Sequence, residues 1–116
     1  MRRKSSALAV LGIFIAVLLL AGCPPRLKIS DIQRDPGKYM NKEVTVAGRV
    51  NRAFGALGMG IFQVDDGTGK MWVLSESYGV PGEGANVGVT GTLIQTATFA
   101  GKTYSNVLRE TRRRHS

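Results

Sequence analysis

The chain is poor in the residues on which most catalytic sites are built. It has one histidine, His115, next to the last of its 116 residues, which removes a His-based triad or a multi-histidine metal site from consideration. It has one cysteine, Cys23, so no intramolecular disulfide can form. Asp65 and Asp66 are adjacent, and in a strand they point to opposite faces and cannot act as a carboxylate pair. Ser75 and Ser77 have no evident base. Gly55, Gly58 and Gly60 superficially resemble a phosphate loop, but a strand pattern follows them, and the helix N-terminus that would hold phosphate is missing. A flexible hairpin loop accounts for them better. Catalysis is not expected, nor is any cofactor or metal.

Long apolar runs are also lacking, with one exception. Ala7 to Gly22 is apolar or small throughout and follows the basic Arg2, Arg3 and Lys4. It is shorter than the roughly 20 residues a membrane span requires. A basic start, a short apolar middle and small residues at the end make the layout of a secretory signal. Leu20-Ala21-Gly22-Cys23 resembles the lipobox of bacterial lipoproteins, in which diacylglycerol alkylates the Cys thiol and the preceding bond is cut. Pro24-Pro25 stops any helix directly after it. The resemblance implies a signal peptide over 1–22, lipidation of Cys23, a linker over 23–29, and anchoring to a membrane on the non-cytoplasmic side. Pro24 stands where an Asp would signal inner-membrane retention, which tilts a Gram-negative host toward the outer membrane.

Charge narrows the partners less than it first suggests. The formal net charge is +8. Three basic residues leave with the signal, and Arg112-Arg113-Arg114 form a terminal run that reads as a solvated, disordered tail over 109–116. The alternative is a tail that touches anionic headgroups or cell-wall polymers.

What the chain does have is alternation. Ser30-Asp31-Ile32-Gln33 fits a capping box, and Asp35-Pro36 restarts a short helical segment that drops Tyr39 and Met40 onto the core. From Lys42 the period becomes two: Val44, Val46, Gly48 and Val50, then Phe62 and Val64, then Met71 and Val73, then Val87, Val89, Gly91 and Leu93, with a fifth strand over 102–108. Gly48 and Gly91 sit at matching places in two strands and mark sharp bends or bulges.

The ordered set Asp35-Pro36-x-x-Tyr39, Val44-x-Val46-x-Gly48-x-Val50, Phe62-x-Val64-x-Asp66-Gly67-Thr68-Gly69-x-Met71-x-Val73 and Gly84-x-x-Val87-x-Val89-x-Gly91 resembles the OB-fold, and in particular small bacterial domains related to tRNA-anticodon-binding types. The resemblance covers about residues 30–108 and implies an all-β, five-stranded antiparallel OB-fold barrel with a short N-terminal helical segment. OB-folds bind on the face of strands two and three, between the loops joining strands one to two and four to five. Carried over, that face is Ile61, Gln63, Trp72 and Leu74, whose parity opposes the core residues Phe62, Val64, Met71 and Val73. The flanking loops fall at 52–60 and 96–101, with Arg49, Arg52, Phe54 and Phe99 edging the groove. Trp72 there either stacks a base or sugar, or is covered and merely packs. Arg49 and Arg52 either touch ligand or only solvate the surface. An exported, membrane-tethered OB-fold also resembles the haem chaperone of cytochrome c maturation, but the tail from Arg109 to Ser116 lacks its haem-attachment motif, so haem is not assigned.

The leading expectation is a non-catalytic, lipid-anchored OB-fold module that binds a protein or glycan of the cell envelope. Single-stranded nucleic acid is the second reading, disfavoured by export. A structural subunit that offers a sheet edge within a membrane complex is the third.

Overall fold

The computed structural model describes residues 24–115. The expected signal segment, Cys23 and therefore the lipobox expectations lie outside the described residues. Two short helices, α1 (Ile29–Arg34) and α2 (Pro36–Tyr39), precede five strands: β1 (Glu43–Ala56), β2 (Met59–Asp65), β3 (Lys70–Ser75), β4 (Asn86–Phe99) and β5 (Lys102–His115). The strands close into a barrel in the order β1-β2-β3-β5-β4.

All neighbours pair antiparallel except β3 and β5, which run parallel at Val73↔Leu108 and Leu74↔Arg109. The expectation of an antiparallel barrel is corrected at this one seam, and the reason is parity. Strand direction cannot alternate all the way round a ring of five, so one pair must be parallel.

The alternating apolar residues fill the interior as the sequence predicts. Val44, Val46, Val50, Phe62, Val64, Met71, Val73, Val87, Val89, Leu93 and Leu108 form the main core. Ile29 and Ile32 of α1 join it, and Tyr39 and Met40 pack against it.

Both strand glycines sit at corners. Strand β1 pairs with β4 up to Arg49 and with β2 from Arg49 onward. At Gly48 a Cβ would collide with the Asp65 carbonyl, and at Gly91 with the Arg109 carbonyl. Register shifts accompany both corners, between Val50 and Arg52 and between Thr90 and Gly91. These bulges let long strands serve two partners.

Three local expectations change. Helix α1 begins at Ile29, not at a Ser30 cap, and Gln33 gives its amide to the Lys70 carbonyl instead of reaching back. Its first N–H groups are met from far along the chain: Ile29 N–H donates to Asp66 Oδ2 (2.9 Å) and Ser30 N–H to Thr68 Oγ1 (3.1 Å). The β2–β3 turn therefore does the work of a cap.

The flanking loops at 52–60 and 96–101 are mostly strand. The β1–β2 turn is only Leu57-Gly58, with φ of 57° and 78°, and the β4–β5 turn only Ala100-Gly101, with φ of 51° and 80°. Positive φ at both central residues makes each a tight hairpin whose twist matches its strands. Gly55 and Gly60 stay paired across the ladder, and their missing side chains make room for Val80.

The basic tail is also strand. Residues 109–115 continue β5, with Val89↔Arg113 and Val87↔His115 in register against β4.

Candidate binding face

The face of β2 and β3 that points away from the main core carries the predicted set, and the structure divides it. Gln63 lies beside Trp72 and Ile61 beside Leu74 across the β2–β3 ladder. Trp72, Leu74 and Gln63 are half-buried, as is Phe99, while Arg49 and Arg52 are exposed. Ile61 is not at the surface at all. It is fully buried in a second small core with Ala97, Tyr104 and Val107, against which Trp72, Leu74, Ile94 and Phe99 pack. Its parity is as predicted, opposite to Phe62. The correction arises because the β4–β5 arm supplies a cover that parity alone does not reveal.

Trp72 occupies the middle of an aromatic row. Its ring stacks on Phe54 at 6.4 Å between centroids and 29° between planes, and meets Tyr104 at 4.9 Å and 58°. Lys102 Nζ lies 5.3 Å from the Tyr104 ring centroid, within cation–π range. Trp72 therefore packs between two rings, and Phe54 is the member left half in solvent, at 52% exposure. The sequence reasoning missed Tyr104. Its place in the β4–β5 arm, near a glycine turn, was the available signal.

Phe54 continues into an apolar tip. Among the described residues, the large hydrophobics that stand exposed are Phe54, Leu57, Met59 and Tyr78, and Leu57 at 102% is wholly in solvent. Three of them belong to the β1–β2 hairpin. The fourth is brought there by the β3–β4 loop: Gly79 N–H donates to the Gly58 carbonyl (2.8 Å), and Val80 fills the space left by Gly55 and Gly60. Tyr78 is steadied by its own N–H on Ser75 Oγ (3.2 Å) and its hydroxyl on the Thr111 carbonyl (3.1 Å). Buried Ser75 thus has a turn to support, which gives its hydroxyl a structural role.

Two charged groups hold the frame. Asp66, at the end of β2, accepts from Ile29 N–H, from Thr68 N–H and hydroxyl, and from Gly69 N–H. Partial burial pushes its carboxyl up, but these hydrogen bonds outweigh it and hold it below the ordinary 3.8. At the other end of the barrel, Arg113 forms a bidentate pair with buried Glu110, donates to the Gly79 carbonyl (2.7 Å), and covers the Phe62 ring at 4.9 Å. Among the described residues no three His, Cys, Asp or Glu side chains come together as metal ligands would.

No protein-family profile matches the chain, and no curated protein sequence does. Its fold is similar to solved structures. One is an OBody, AM3L09, bound to hen egg-white lysozyme, with 18% identity over 67% of this chain and 84% of that chain, at a TM-score of 0.52. Another is a chain assigned as an aspartyl-tRNA synthetase from Leishmania major Friedlin, with 11% identity over 90% of this chain at a TM-score of 0.57. The present chain spans only 26% of that protein. At such identities the likeness is one of architecture. Barrel order, the single parallel seam and these neighbours agree on one conclusion: residues 24–115 make an OB-fold domain.

Proposed function

We propose that this chain is a non-catalytic OB-fold binding module, tethered through a lipid on Cys23 to a membrane of the bacterial cell envelope, which holds a protein partner at the tip formed by Phe54, Leu57, Met59 and Tyr78. The observation that carries the reading is the gathering of exposed large apolar side chains at one end of the barrel. Exposed apolar residues scattered singly need no explanation, whereas a contiguous set marks an interaction surface.

Leu57 supports this in a second way. It occupies a left-handed turn position that Asn or Gly fills better, and its side chain touches solvent only. Folding gains nothing from a leucine there; a partner would. A protein suits this tip better than a glycan, because the tip offers apolar surface and few polar groups. Barrel closure means that the partner meets side chains and not a long free sheet edge.

Single-stranded nucleic acid remains the competing reading. Exposed Arg52, two residues before Phe54 of the Phe54–Trp72 stack on the same strand, favours it, and export from the cytoplasm stands against it.

Photo-cross-linkers placed in cells at Leu57 and, as a control, at exposed Lys38 on α2 test the proposal. A protein adduct of one mass from position 57 only is the expected result. Equal labelling from both positions would sink it. So would purified protein that binds oligonucleotides with an affinity falling steeply as salt rises.

A further inference from the structure

A second surface shares no lining residue with the tip or the aromatic row. Arg26, Thr45, Ala47, Val87, Thr90 and Arg112, together with Arg114 and His115, line a cleft of about 520 Å³ over the outer side of β1, β4 and β5. Its cations are only partly answered. Arg112 lies 3.6 Å from Glu43, with both side chains largely in solvent, and Arg113 turns inward to Glu110. Among the described residues Arg26 and Arg114 make no ion pair. The Thr45 and Thr90 hydroxyls share a hydrogen bond of 2.7 Å on the wall of the cleft.

The chain enters the barrel at this cleft. Thr45 N–H donates to the Pro25 carbonyl (2.8 Å) and Leu27 N–H to the Thr45 carbonyl (2.9 Å), so residues 25–27 are stitched along β1 with Arg26 between them. Pro25 is two residues beyond Cys23, which an extended chain covers in about 7 Å. A lipid on Cys23 would hold this side of the barrel against the bilayer, within one Debye length of its surface at physiological salt.

We propose that the Arg26/Arg112/Arg114 cleft docks on the anionic phospholipid headgroups of the membrane that holds the anchor, so that lipid and cleft together fix the barrel's orientation on the bilayer. The inference rests on the anchor reading for its choice of ligand. Unpaired guanidinium groups and threonine hydroxyls suit phosphate oxygens. Tether length supplies the proximity.

The test uses the chain from Pro24 onward, because every strand, both helices and both apolar clusters lie within 24–115. Without a lipid, it should sediment with vesicles of phosphatidylglycerol in phosphatidylcholine and not with phosphatidylcholine alone. The triple variant R26A/R112A/R114A should bind about 100-fold more weakly, at about 5-fold for each cation lost. A control triple, K38A/K70A/K102A, should retain most of the binding. Circular dichroism establishes that both variants are folded.

Equal losses in the two triples would reduce the effect to overall charge and overturn the cleft. Binding to neutral vesicles, or displacement from vesicles by a single-stranded oligonucleotide at equal charge, would overturn it as well. The anchor is read separately, from the mass of Cys23 in the full chain expressed in a bacterium. An unacylated Cys23 overturns the anchor and with it the choice of ligand; an acylated Cys23 with no vesicle binding overturns the cleft alone.

Discussion

Arg113 donates to both carboxylate oxygens of Glu110, at 2.8 and 2.6 Å, where neither side chain has more than 8% of its surface in water. The two stand three apart on one strand, a spacing that ordinarily puts side chains on opposite faces. A bulge resolves this. Thr90 pairs with Arg112 and Gly91 with Glu110, which leaves Thr111 unpaired and reverses the parity beyond it. An arginine in the middle of a basic run thereby becomes an interior group, set over Phe62.

Removing one member of that pair should cost far more than removing both. Glu110→Leu strands a buried guanidinium and should destabilise by about 3–5 kcal/mol. The double change E110L/R113M should recover most of that loss. Urea unfolding of the two single variants and the double variant checks it, and a double variant no more stable than E110L alone would contradict it.

Asp66 should make stability sensitive to acid. Its folded carboxyl titrates below the ordinary value of 3.8, so its contribution is complete above that value and fades as pH falls through the lower, folded value. Asp66→Ala should remove that acid-sensitive part and lower stability at neutral pH by about 1–2 kcal/mol, the typical worth of a helix cap. Thermal melts of both proteins from neutral pH down to strong acid supply the comparison, and parallel profiles would contradict the assignment.

The strand glycines should separate sharply. Gly48→Ala and Gly91→Ala drive a methyl into a facing carbonyl and should each cost about 1–3 kcal/mol. Gly88→Ala meets nothing within 4 Å and should stay within about 0.5 kcal/mol of the parent. Chemical denaturation orders the three.

The two hairpin turns offer a test that divides folding from binding. Leu57→Asn and Ala100→Asn both place a favoured residue at positive φ and should each stabilise the fold by up to about 1 kcal/mol. Only Leu57→Asn should weaken capture of the protein partner. Denaturation midpoints and cross-linking yield, measured on the same two variants, check both halves.

The sequence by itself determined that five strands follow a short helical segment and which residues at their centres face inward, because period-two alternation records locally which side of a strand must leave water. It also marked the corners at Gly48 and Gly91, since a residue without a side chain inside a strand signals a close approach. The candidate face was legible as a parity, which placed Ile61, Gln63, Trp72 and Leu74 on one side. Tertiary structure alone decided what covers that side: the β4–β5 arm buries Ile61 and sets Tyr104 on Trp72, a contact between segments about thirty residues apart. It also decided that α1 is capped from the β2–β3 turn, that residues 52–60 and 96–101 pair almost to their tips, and that Arg113 points inward while Arg112 and Arg114 do not. Each of these depends on which strand lies alongside and in what register, and a single bulge in that register reverses every side chain beyond it.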